Sequence, residues 1–207
     1  MIRSTFLSIL LLGMTSCSLP FSGEPALRRY FALETVRAVT PSATPIEARL
    51  LIRDSDGVRL SDTHSIVFSR DARELASYQY ASWVEPPADQ ISHLIYDAFQ
   101  ASNMFTVVSR STSGVVGDLQ LNIEVKDFFY DLSGDPDVVK IRIGAELLNL
   151  RDRSVLASRE FIATKPVDDE GVEYVVAGFG AGATELISSL VTWVGEQDLQ
   201  RIHPPRQ

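Results

Sequence analysis

The chain has 207 residues and a formal net charge of −8. An acidic chain with no basic stretch excludes broad nucleic-acid binding, which needs a cationic stripe to displace phosphate counterions. One cysteine excludes an intrachain disulfide, and a 45% hydrophobic composition is enough for a domain with a real core.

Residues 1–16 read as a signal peptide rather than as fold. In "MIRSTFLSILLLGMTSC" the single basic residue Arg3 precedes an apolar run from Phe6 to Leu12. That run is far shorter than the roughly 20 residues that span a bilayer. Cys17 follows Thr15 and Ser16 where cleavage would fall, in a pattern that resembles the lipobox of bacterial lipoproteins, with Met14 in place of the usual leucine. The resemblance implies a lipidated Cys17 as the first mature residue. Ser18 stands where aspartate would retain a lipoprotein at the inner membrane, which points to the outer membrane if the host has one. Residues 17–26 are then the lipidated N-terminus and a Pro- and Gly-containing tether. Ser18–Ala26 reaches at most about 30 Å, which keeps the domain near the bilayer surface.

The remainder alternates between strand and helix signals. Arg28–Leu33 and Ala48–Arg53 are predicted strands, separated by the loop Thr40–Pro45, and Ser55–Gly57 is a turn signal. Ser65–Arg70 and Ser77–Trp83 form a second strand pair, with a helical turn expected over Asp71–Leu75. Pro86 and Pro87 open a helix in which Ile91, Leu94, Ile95, Ala98 and Phe99 share one apolar face. A short strand, Phe105–Ser109, and a loop, Ser111–Gly117, follow. Strict alternation then marks two long strands. Leu119, Leu121, Ile123 and Val125 face one way in the first; Val139, Ile141, Ile143, Ala145 and Leu147 do so in the second. Ser133–Asp137 is the turn between them, and Ser154–Thr164 completes an antiparallel meander with one polar face. The pattern predicts an α/β fold: one domain over residues 27–196, a mixed, largely antiparallel sheet flanked by two main helices, and a tail over 197–207.

The stretch "YVVAGFGAGATELI", Tyr174–Ile187, satisfies a relaxed dinucleotide fingerprint through Gly178, Gly180 and Ala183. A longer window overrules it. Val172, Val175, Val176, Phe179, Ala183, Leu186, Ile187, Leu190, Val191 and Val194 keep a helical period across the glycines. A strand–loop–helix unit would reset that phase, and no second strand follows to carry a ribose-binding acid. The segment is predicted to be one long helix capped by Asp168 or Asp169. Gly178 and Gly182, one turn apart, should let it approach the sheet closely.

No catalytic constellation, cofactor site or metal site emerges. His64, His93 and His203 do not pair at ligand spacing, and the carboxylates of Asp168–Glu170 fit a helix cap. The segment Trp83–Pro87 is the oddest local feature: Trp83 either covers the core or joins a partner surface. Phe128, Phe129 and Tyr130 cannot all face inward on a strand, so at least one is exposed. Trp83, Glu85, Pro86 and Phe129 are therefore the candidate partner-binding residues.

Together Cys17, "YFAL" at Tyr30–Leu33, "YQYASWVEPP" at Tyr78–Pro87, the helix ending in "SNMFTVV" and the closing "VVAGFGAGATELISSLVTW" resemble the PqiC-like ABC-type transport auxiliary lipoproteins. The last helix departs from that pattern by carrying glycines where alanines are usual. The resemblance implies a mixed sheet similar to TolB N-terminal or anticodon-binding-like domains. It also implies a non-enzymatic lipoprotein, without cofactor, that docks an MCE-domain conduit of an intermembrane lipid transport system at the outer membrane. A homo-oligomer is compatible with this role. The alternative is a periplasmic carrier that holds lipid itself.

Overall fold

The structure is a computed structural model that describes residues 27–34, 39–55, 61–71, 74–169 and 171–199. The signal peptide, Cys17 and the tether lie outside the described residues, as do His203 and most of the Ser55–Gly57 turn. In chain order the elements are β1 (Arg29–Phe31), β2 (Ile46–Asp54), β3 (Ser65–Asp71), β4 (Glu74–Trp83), α1 (Pro87–Ser102), β5 (Phe105–Arg110), β6 (Leu119–Asp131), β7 (Val138–Asn149), β8 (Ser154–Pro166) and α2 (Val172–Gly195). A 3-10 turn, Ser111–Ser113, follows β5.

β6 is the axis of an 8-stranded mixed sheet. One edge of β6 pairs antiparallel with β7, and β7 with β8, giving the expected meander. The other edge is shared by two strands laid end to end. β2 runs parallel to the first half of β6, from Leu50↔Leu119 to Asp54↔Ile123, and β3 runs parallel to its end at Phe68↔Tyr130. β5 lies outside β2, β4 outside β3, and β1 outside β4. The described residues of Asp71–Leu75 are strand, not the expected helical turn. Asp71 ends β3, Glu74 and Leu75 begin β4, and Asp71 pairs with Glu74. Cross-strand pairing overrides the weak local helical signal there.

α1 begins at Pro87, as the proline pair predicts, and ends at Asn103 in the left-handed conformation (φ 49°). Ile91, Ile95 and Phe99 are fully buried, and Leu94 and Ala98 are half-buried. The helix packs on β2, β5 and β6 and against α2, which covers β7 and β8. Helix α2 is long and apolar enough to cross a membrane by length and composition, but half of that window (50%) is buried inside the fold. It is a core helix, with Phe179, Ala183, Leu190 and Val194 at 0% exposure. Its outer side carries Thr184, Ser188 and Thr192. Each hydroxyl donates to the carbonyl four residues back, at 2.9, 2.8 and 2.9 Å, so these polar groups need no tertiary partner.

The N-cap is Gly171, not Asp168 or Asp169. Asp169 instead accepts a hydrogen bond from the Gly171 N–H (3.3 Å), which holds the turn before the helix. At the other end Leu199 is 3% exposed and joins the core, so packing continues past residue 196.

The helical glycines have two different jobs. A Cβ on Gly178 would lie 3.3 Å from Val139 Cγ2, and one on Gly182 would lie 3.2 Å from Ile141 Cδ1, so both face the sheet as expected. A Cβ on Gly180 would lie 2.4 Å from the backbone carbonyl oxygen of Glu34. That atom belongs to the segment after β1 and cannot yield as a side chain can. Gly180→Ala should therefore destabilise the domain by about 1–3 kcal/mol. Gly178→Ala should destabilise it less, by no more than about 1 kcal/mol, because only the Val139 side chain has to shift and alanine's better helix propensity offsets part of that cost. Urea unfolding of the two variants checks the contrast.

Candidate functional site

The structure separates the four residues nominated as contacts. Trp83 is 1% exposed and lies in the core, which corrects its place among partner-binding candidates. Its ring meets Phe128 edge-on (centroids 5.8 Å, 74°) and Phe179 edge-on (5.7 Å, 76°), while Phe128 and Phe179 stack at 4.3 Å and 8°. Phe129 points to the opposite face of β6 and is half-buried, opposite Lys140 on β7. The sequence argument that three consecutive aromatics cannot all turn inward holds, since Phe128 and Tyr130 take the core and Phe129 does not. A bulge decides which. Val125 pairs with Ile143 and Asp127 with Arg142, so Lys126 is the extra residue and the in–out phase of β6 reverses after it.

Glu85 is exposed and Pro86 half-buried, in the corner between β4 and α1. Glu85 sits 3.4 Å from His93 Nδ1, and that histidine is exposed. Gln90, a residue the sequence reading missed, fixes this corner. Its side chain accepts a hydrogen bond from the Leu33 N–H (2.6 Å) and donates one to the Glu85 carbonyl (2.7 Å). The Val84 N–H also donates to the Phe31 carbonyl (2.8 Å). The β1 segment is thus tied to the Trp83–Pro87 corner from two sides. A polar residue on the buried face of an apolar helix is the signal that could have found it.

The open face of the meander is a charged surface already paired with itself. Arg142 donates to Asp127 (2.6 Å) and lies 3.7 Å from Glu160, which also accepts from Lys126 (3.1 Å). Where β6 ends, Lys140 and the Ser133 hydroxyl and N–H donate to Asp131, whose side chain is largely buried. The Lys140 hydrogen bond, followed by that of Ser133, holds the Asp131 carboxyl down at about 2. Among the described residues no group of three His, Cys, Asp or Glu could hold a metal ion, and no buried side-chain polar atom lacks a partner.

One groove is both roomy and apolar. It measures about 670 Å³ and runs between the β1 segment (Tyr30, Phe31, Ala32, Glu34) and the outer face of α2 (Val176, Ala177, Gly180, Ala181), with Glu173 at its rim. Tyr30 is 63% exposed beside it. None of these residues forms a nucleophile–base pair. The arrangement offers an apolar floor, acidic side chains and a strand edge, features that can recognise an extended ligand.

A family model described as "ABC-type transport auxiliary lipoprotein component" matches residues 31–191. The crystal structure of protein XCC0632 from Xanthomonas campestris is 28% identical, with a TM-score of 0.73 over 83% of this chain and 98% of that one. A second crystal structure, of an uncharacterized protein 13% identical, shares the fold alone, with a TM-score of 0.62 over 81% of this chain and 99% of the other. An uncharacterized protein of Bradyrhizobium diazoefficiens is 22% identical over 171 residues, covering 83% of this chain and 46% of that protein, so the chain spans about half the length of this curated relative.

Two measurements separate structure from surface here. Trp83→Ala should cost about 3–5 kcal/mol of stability through the cavity it leaves, whereas Phe129→Ala should stay below about 1 kcal/mol; thermal and urea unfolding read both. Asp131 has a folded value near 2 against its ordinary 3.8, so the native state favours the ionised carboxylate. Its stabilisation is complete above about pH 4 and is lost as pH falls from there towards 2. Asp131→Asn should flatten the pH dependence of stability in that window.

Proposed function

The chain belongs to the family of ABC-type transport auxiliary lipoprotein components, and on that premise we propose that it is a non-catalytic subunit that docks the periplasmic MCE-domain conduit of an intermembrane lipid transport system at the outer membrane. The family match over residues 31–191, with a lipobox-like cysteine at position 17 upstream of it, carries this reading. Lipid on Cys17 supplies the anchor. Each buried methylene contributes about 0.8 kcal/mol and a single chain holds only marginally, so the several chains of a bacterial lipoprotein are needed for a lasting hold. The tether of Ser18–Ala26 is short enough to keep the domain within about 30 Å of the bilayer.

The domain's physical character agrees with holding a partner rather than transforming a substrate. Charged groups pair with one another on the open face, Trp83, Phe128 and Phe179 are locked in the core, and Glu85, Pro86 and Phe129 stay at or near the surface as contact candidates. The membrane side comes from the N-terminal lipid and the protein side from the folded surface.

Cys17→Ser should move the protein from the membrane to the soluble fraction while leaving its thermal unfolding unchanged. The acylated protein, mildly crosslinked in native membranes, should recover an MCE-domain protein. Clean failure to recover one, or turnover of a small molecule by the isolated chain, would overturn the docking role.

A further inference from the structure

β1 is a short strand at the end of the sheet, and among the described residues it has no neighbour other than β4. The Phe31 carbonyl accepts from Val84 on the β4 side. Alternation along a parallel strand then turns the N–H and C=O of Tyr30 to the other side, away from β4. An edge with unpaired backbone groups is a template for an added strand. β1 also forms one wall of the groove described above, and Val176, Ala177 and Ala181 of α2 line the other. Gly180 has no Cβ, and this lets the chain after β1 sit against the helix with Glu34 at the groove.

The charges of the groove choose its occupant. Among the described residues its lining includes Glu34 and Glu173 and no lysine or arginine. Glu173 shares its charge with Arg29 (3.3 Å, both side chains more than half exposed), and Glu34 has no ion-pair partner among the described residues. An anionic phospholipid headgroup would meet like charge at this rim. The chain's own tether, Ser18–Ala26, would bring Glu24 to an acidic site, and Pro20 and Pro25 lack the N–H groups a ladder requires.

We infer that the groove between β1 and α2 receives an extended, cationic segment of the protein partner, added as a strand to the free edge of β1, with an apolar side chain on the Val176–Ala177–Ala181 floor and a lysine or arginine at Glu34. This rests on the docking role proposed above and gives that role a location. Main-chain hydrogen bonds supply adhesion, the floor admits modest apolar side chains, and the rim rejects acidic segments.

The test places the photo-crosslinking amino acid p-benzoylphenylalanine at Tyr30, an exposed aromatic position of the groove that leaves the helical floor clear, in the full acylated chain in native membranes. The expected adduct joins residue 30 to an MCE-domain protein, and peptide mapping locates it in an extended segment with a lysine or arginine within a few residues. Ala177→Trp, which fills the floor, and Glu34→Lys, which reverses the rim, should each cut the adduct at least ten-fold without changing thermal unfolding. An adduct to lipid, to residues 18–26 of the same chain, or to a segment without a basic residue overturns the inference. So does capture of the MCE-domain protein by the acylated chain with no adduct at residue 30; in that case the docking role stands. If the acylated chain captures no MCE-domain protein at all, the docking role fails and the inference falls with it.

Discussion

The architecture depends on how closely α2 approaches the sheet. Phe179 stacks on Phe128 at 4.3 Å and closes against Trp83, and the helix reaches this depth because Gly178 and Gly182 present no Cβ to Val139 and Ile141. The three rings join the end of β4, the later half of β6 and the first turns of α2 in one contact. A glycine in a helix interior sacrifices about 1 kcal/mol relative to alanine. Edge-to-face and stacked aromatic contacts return a comparable amount beyond their buried area, so the glycines are explained by packing and need no cofactor.

The same helix meets the polypeptide on its other side. Gly180 lies against the Glu34 carbonyl, and Gln90 of α1 binds the Leu33 N–H and the Glu85 carbonyl. The β1 segment is therefore fixed by α2, by α1 and by β4 together. Its position creates a groove with a strand edge on one side and small helical residues on the other. A wall fixed in this way suits the proposed docking role, because it leaves little to be ordered on binding.

Charge is used differently on the two exposed regions. On the open face of the meander Arg142, Lys126, Asp127 and Glu160 neutralise one another, which leaves a polar and self-satisfied surface. At the groove the acidic rim is only partly balanced, by Arg29.

The sequence by itself determined the elements whose residues answer to a local period: the alternation of β6 and β7, the buried stripe of Ile91, Ile95 and Phe99, and the continuity of α2 through its glycines. Each of these is a repeat of apolar side chains along one stretch of chain, and the stretch records it. Of the candidate contact site it showed that one of Phe128–Tyr130 must turn outward, but not which, because a bulge at Lys126 reverses the phase and a bulge is set by the partner strand. Only the tertiary structure decided that Trp83 belongs to the core, that β2 and β3 share one edge of β6, and that Gly180 accommodates a backbone carbonyl. These depend on residues dozens of positions apart, such as Glu34 and Gly180. No local pattern encodes which distant atom will fill the space beside a given residue; close packing in the folded chain settles it.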